Sequence, residues 1–129
     1  MSVQNSNKKS LKKILLAEDD DSMRRFVEII LQKAGYEVLT AQDGLAAMQI
    51  ALSTNINAVV ADAIMPHLSG FDLCRMLRGN AETKEIPLIM LSGLAHQDSD
   101  ESEGCLADAF LTKDVNLKNR LVSALKKLL

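Results

Sequence analysis

The chain carries no charge excess of one sign: 15 Lys and Arg stand against 17 Asp and Glu, a net charge of −2. That balance removes the electrostatic case for nucleic acid, so no nucleic-acid partner is expected. Long hydrophobic runs are also missing. No apolar stretch approaches the length of a bilayer span, and the polar opening Met1 to Ser10 lacks the hydrophobic region of a signal peptide. A cytoplasmic protein with no membrane association is expected. Cysteine is scarce: Cys74 and Cys105 lie far apart without a CxxC partner, in a chain too large to need a disulfide, and both are expected as free thiols. The two histidines, His67 and His96, form no ligand spacing with each other or with the cysteines, which excludes a zinc site. Aromatic residues amount to three Phe and one Tyr. A glycine-rich dinucleotide fingerprint after the first apolar run is absent, its place taken by acids.

What is present is an alternation of short apolar runs with amphipathic stretches, the pattern of repeated βα units. The 129 residues fit one domain, read as a tail over residues 1–10 and a folded unit over 11–129, with no output domain and a monomer favoured. Ile14 to Ala17, Val38 to Ala41, Ala58 to Ala61, Leu88 to Leu91 and Phe110 to Thr112 are nearly continuous in apolar character, as parallel strands covered on both faces must be. Met23, Phe26, Val27, Ile30 and Leu31 recur at three- and four-residue steps, as do Leu117, Leu121, Leu125 and Leu128. Two shorter helices are expected over Leu45 to Leu52 and Phe71 to Leu77, each opened by a capping residue and a glycine, Asp43-Gly44 and Ser69-Gly70. The fourth of five helices would fall on Ala95 to Gly104. That segment carries Asp98, Asp100, Glu101 and Glu103 with almost no apolar periodicity, so a short or mobile helix is expected there. The fold class is therefore α/β, a doubly wound five-stranded parallel sheet of order 2-1-3-4-5.

In such a sheet ligands sit outside the carboxyl ends of the strands, where strand order reverses. Strand one ends in Glu18-Asp19-Asp20-Asp21, strand three in Asp62, strand four in Ser92-Gly93 and strand five in Lys113. Strands one and three would be neighbours, bringing acidic side chains from distant sequence into one self-repelling pocket. Carboxylates held that close need a shared proton or a cation, and an open oxygen-rich site suits Mg²⁺. Such a metal would neutralise charge on an incoming phosphoryl group, with Lys113 adding a positive charge and Ser92 a hydroxyl donor. Asp62 becomes the acceptor, giving an acyl phosphate carried by the protein itself.

The runs Ile14-Leu15-Leu16-Ala17-Glu18-Asp19-Asp20, Asp62-Ala63-Ile64-Met65-Pro66 with Gly70, Leu91-Ser92-Gly93 and Phe110-Leu111-Thr112-Lys113 together resemble a response-regulator receiver domain of the single-domain, chemotaxis type. The resemblance covers roughly residues 12–129 and implies a flavodoxin-like fold in two-component signalling. It makes Asp62 the phosphorylation site, Asp19 a direct magnesium ligand, Glu18 a ligand acting through water, and Ile64 a contributor through its backbone carbonyl. Ser92 becomes the switch hydroxyl, Phe110 the aromatic whose rotamer follows it, and Lys113 the phosphate lysine. The implied partners are a histidine kinase or phosphotransfer protein and a downstream effector protein bound on the face of the fourth and fifth helices and strand five. Such a domain is not an enzyme beyond its own phosphotransfer and dephosphorylation.

One departure from the family pattern follows Lys113. Members usually carry proline there with the preceding bond in cis, whereas this chain has Asp114, and a non-proline cis bond costs about 3 kcal/mol. A trans bond with a shifted loop, or a retained strained bond, is expected. Asp114 would either attract the lysine ammonium or cap the last helix. Ile64 and Leu94 offer apolar side chains where a polar one could orient a hydrolytic water, which implies slow self-dephosphorylation. Two other readings stand beside the leading one. One is a phosphorylation-independent interaction module, opposed by the intact Glu18, Asp19, Asp62, Ser92 and Lys113. The other is an aspartyl-phosphate phosphatase, opposed by Ile64 at the position where such enzymes carry a second Asp as general acid.

Overall fold

The computed structural model describes residues 11–93 and 105–129. Each apolar run forms a strand: β1 (Lys13–Ala17), β2 (Glu37–Ala41), β3 (Ala58–Asp62), β4 (Leu88–Ser92) and β5 (Ala109–Thr112). All pair in parallel, in the order β2-β1-β3-β4-β5. The expected flavodoxin-like order is the one observed. The three inner strands are buried along almost their whole length, while β2 and β5 are edges and partly exposed. That difference follows from coverage, since only the inner strands have a strand on each side and a helix on each face.

Among the described residues four helices flank the sheet: α1 (Asp21–Lys33), α2 (Gly44–Ser53), α3 (Gly70–Arg78) and α4 (Leu117–Leu128), the last being the helix counted fifth from the sequence. The helix expected over Ala95 to Gly104 and the tail over residues 1–10 lie outside the described residues. Successive strand residues face opposite layers. Leu15, Ala17, Val59, Ala61, Leu88 and Met90 pack with α2 and α3, whereas Ile14, Leu16, Ala58, Val60, Ile89 and Leu91 pack with α1 and α4. Val27, Ile30 and Leu31 of α1 are buried, but Phe26 is 53% exposed. It falls about a quarter-turn from the centre of that buried stripe, so its place in the three-and-four pattern did not secure it a place in the core. No helix among the described residues is long and apolar enough to cross a membrane.

The helix starts follow their capping residues. The Asp43 carboxylate accepts from Ala46 N at 2.8 Å. Ser69 and Asp72 form a reciprocal capping box at the start of α3. Gly70 then does what no other residue could do there: a Cβ at this position would fall on the Asp62 carbonyl oxygen and lie 2.8 Å from Met90 Sδ. The main chain of α3 is thus seated directly against the end of β3, with Gly70 N donating to Ala63 O at 3.0 Å. At the other end of α3, Arg78 donates to the carbonyls of Lys84, Ile86 and Leu106 and pairs with Asp108, which itself accepts from Leu88 N. These bonds fix where β4 and β5 begin.

Cys74 and Cys105 are both free, as expected, yet they are not remote from each other. Cys105 packs against the core cluster that contains Cys74. Burial, and then the neighbouring Cys105 thiol, push the Cys74 thiol up to about 12, so it is a neutral core residue at physiological pH.

Gly70→Ala must shift either the Asp62 main chain or Met90. An overpacking cost of about 1–3 kcal/mol is expected in urea unfolding, and an unchanged midpoint would show that α3 can slide away without loss.

Candidate functional site

The strand order reverses between β1 and β3, and Ala17 is in register with Ala61. The next residue on each chain is therefore Glu18 and Asp62, side by side at the carboxyl edge of the sheet. Both are buried, Glu18 at 1% and Asp62 at 6% exposure. Asp19 follows in the loop and is exposed. One carboxylate oxygen from each of Glu18, Asp19 and Asp62 lies within 4.8 Å of the other two. Two consecutive residues and a third more than forty positions away in sequence thus form one cluster of hard oxygen donors.

Lys113 supplies the cation. It continues the β4–β5 ladder, its N–H donating to Ser92 O at 2.8 Å. Its side chain crosses back over the sheet edge to place Nζ 2.9 Å from Asp62 Oδ2 and 3.0 Å from Glu18 Oε1. Burial alone would lower this ammonium's pKa, but the hydrogen bonds it donates to Asp62 and Glu18 outweigh burial and hold it above its ordinary value. The remaining carboxylate oxygens are also engaged: Asp20 N donates to Glu18 Oε2 at 3.1 Å, and Ile64 N to Asp62 Oδ1 at 3.2 Å. Burial nonetheless raises Glu18 to about 7, with the Asp62 charge adding to it against the lowering by Asp20 N–H and Lys113.

The other sequence-predicted residues sit around this cluster. Ser92 is buried one residue beyond the Asp62–Leu91 pair of the β3–β4 ladder. Phe110 lies on the edge strand with its ring 45% exposed, its centroid 6.3 Å from that of Phe71 on α3. The Ile64 side chain is 54% exposed, so its link to the cluster is through the main chain. Asp114 turns away from the lysine. Its Oδ1 accepts from Asn116 N at 2.9 Å and its Oδ2 pairs with Arg120 at 3.0 Å, at the start of α4. No peptide bond among the described residues is cis. Lys113 therefore reaches the carboxylates across a trans bond, and Asp114 does not cap α4, whose N-cap is Asn116 with no side-chain cap bond; it bonds instead in the turn just before that helix and pairs with Arg120 within it.

Two contributors were not singled out from the sequence. Gly70, read as a helix opener, also lets α3 abut Asp62. Arg24 folds back under the acidic loop: Nη1 donates to Glu18 O at 2.9 Å, and Nη2 pairs with the Asp21 carboxylate. The available signal was the Arg24-Arg25 pair that follows four acids after Ser22 and Met23, which put a cation within one helical turn of Asp21.

The sequence pattern of the response regulator receiver domain matches residues 14–126, and the chain belongs to that family. PilG of Pseudomonas aeruginosa is 34% identical over 118 residues, covering 88% of this chain and 84% of PilG. Among solved structures, chemotaxis protein CheY4 of Vibrio cholerae superimposes with a TM-score of 0.85 at 30% identity, over 93% of this chain and all of CheY4. Response regulator TrrA of Thermotoga maritima, solved in complex with Mg²⁺ and BeF, gives a TM-score of 0.82 at 32% identity, over 92% of this chain and all of TrrA. Longer regulators also match, this chain spanning about half their length. The protein is thus a two-component receiver domain with an acidic pocket at the β1–β3 edge.

A carboxyl whose folded pKa lies above its ordinary 4.5 binds its proton more tightly when folded. The stability it contributes is complete below about pH 4.5 and is lost as pH rises through about 7. In metal-free buffer the melting temperature should therefore fall across that window, and Glu18→Gln should flatten the fall. A slope equal to wild type in that variant would assign the loss to another group.

Proposed function

We propose that the domain accepts a phosphoryl group on Asp62 from the phosphohistidine of a histidine kinase or phosphotransfer protein, and thereby switches a protein-binding face. The observation that carries this reading is the buried Asp62 carboxylate, held by Lys113 beside the Glu18 and Asp19 oxygens. A carboxylate oxygen of Asp62 attacks phosphorus, the P–N bond to the donor histidine breaks, and the imidazole leaves with the electron pair, giving an acyl phosphate.

The donor set fits Mg²⁺: three carboxylates, one exposed to solvent, are hard oxygen ligands that leave room for retained waters. In this reading Asp19 and Asp62 would hold the ion directly, Glu18 would act through water, and the Ile64 carbonyl would add a third direct protein oxygen. When bound, Mg²⁺ supplies charge neutralisation for the phosphoryl oxygens. Lys113, charged and already on Asp62, moves onto the incoming phosphoryl oxygens. Ser92 donates its hydroxyl to another of them. Phe110, half out of the sheet edge, follows by turning inward, so that the surface of β5 and α4 changes for an effector protein. Exposed Ile64 and Val115, each two residues from a site residue, provide apolar contact at the rim for the incoming donor.

Incubated with Mg²⁺ and a small acyl-phosphate donor, wild type is expected to gain one phosphoryl group by intact mass, and Asp62→Asn or a chelated sample none. Equal uptake by Asp62→Asn would move the acceptor elsewhere. The apolar Ile64 at the mouth of the site also offers no group to orient a hydrolytic water. Ile64→Asn should therefore shorten the lifetime of the phosphorylated form several-fold, about 1 kcal/mol of barrier, whereas equal decay of the two proteins would remove Ile64 from the account.

A further inference from the structure

Glu18, Asp19, Asp20 and Asp21 place four acids in succession where β1 turns into α1. Like charges so spaced would spread the loop outward unless something held its main chain. Asp20 contributes one restraint, its carboxylate accepting from Met23 N at 2.7 Å as the cap of α1. Arg24 contributes another. Its guanidinium lies beneath the loop, with Nη1 2.9 Å from the Glu18 carbonyl oxygen and 3.5 Å from that of Asp19, while Nη2 pairs with Asp21. The Arg24 side chain is only 15% exposed, whereas that of neighbouring Arg25 is 68% exposed and pairs with Glu28 along the helix.

The two cations of the site divide the work. Lys113 bonds to carboxylates of the cluster itself, so its contact with Glu18 and Asp62 competes with any ion those groups bind. The recorded bonds of Arg24 go to main-chain oxygens and to Asp21, leaving the Glu18, Asp19 and Asp62 carboxylates free of it. Its hold on the loop therefore persists whether or not a cation is present.

We propose that Arg24 is a positioning residue for the divalent-cation site. By fixing the Glu18 and Asp19 carbonyls against α1, it sets the direction in which their side chains leave the main chain, so that both carboxylates converge on Asp62. This rests on the proposed role of Glu18, Asp19 and Asp62 in holding Mg²⁺.

Electrostatics alone makes the opposite prediction. A guanidinium close to the pocket repels a divalent cation, so removing its charge should tighten Mg²⁺ binding. Positioning predicts weaker binding. Lysine keeps the charge but lacks the planar fork that spans a carbonyl and a carboxylate together. The experiment is an amide-shift NMR titration of wild type, Arg24→Met and Arg24→Lys with MgCl₂, with spectral dispersion and melting temperature in chelator reporting the fold.

Both variants are expected to stay folded and to bind Mg²⁺ about three- to tenfold more weakly than wild type, the loss of one hydrogen-bonded restraint. Unchanged or tighter binding by Arg24→Met would overturn the proposal, as would wild-type affinity in Arg24→Lys, which would leave only charge at work. If Arg24→Met does not fold, Arg24→Lys alone decides on the same criterion. A wild type that binds no Mg²⁺ would overturn the metal reading of the pocket together with this one. A wild type that binds, and loses binding in Asp19→Asn but in neither Arg24 variant, would overturn this proposal alone.

Discussion

Burying a carboxylate costs several kcal/mol unless a cation or hydrogen-bond donors answer its charge, and this fold buries two at neighbouring strand ends. A single ammonium, that of Lys113, is shared between them. The bridge runs from β5 over the edge of β4 to β3 and β1, so the electrostatic compromise depends on the order of four strands at once. The compromise is incomplete: Glu18 keeps a raised pKa even with Lys113 and the Asp20 N–H in place. A site left short of positive charge in its resting state is suited to receiving more of it, and its chemistry follows from that deficit.

The surroundings divide into rigid and adjustable parts. Backbone contact at Gly70, the capping box at Ser69 and the arginine beneath the acidic loop fix the main chain around Asp62. Phe110, by contrast, sits on an edge strand with nearly half its surface in solvent, whereas Ser92 is buried as the last residue of β4. An exposed edge residue beside a buried, bonded carboxylate leaves room for the rotamer change proposed for Phe110. Asp114 belongs to the rigid part. Its carboxylate bonds at the start of α4, while Lys113 reaches the pocket across a trans bond.

Membership of the receiver family fixes the chemistry more tightly than the wiring. CheY4 and TrrA share this architecture, PilG is similar in sequence over most of its length, and longer regulators match over a segment about half their length. A shared fold does not by itself fix the donor or the effector, which depend on surfaces outside the acidic pocket.

The strands and flanking helices were legible in the sequence because parallel strands covered on both faces must be continuously apolar, and because Asp43 and Ser69 announce their helices. The chemical residues were legible for a related reason: a polar residue closing an apolar run marks a strand end, and Glu18, Asp62, Ser92 and Lys113 all do so. Sequence alone did not show that Phe26 would face solvent, that Cys74 and Cys105 would pack in one cluster, or which role Asp114 would take. It was silent on Gly70 and Arg24 as parts of the site. For Gly70, Cys74 and Arg24 the deciding contact is set only by the packed chain, whether through a helix seated on a strand end, within the core cluster or between a guanidinium and main-chain carbonyls. The sequence by itself determined which groups are present and at which strand ends they stand. The tertiary structure decided which of them share a charge, because electrostatic partnership depends on ångström distances that strand order and helix seating impose.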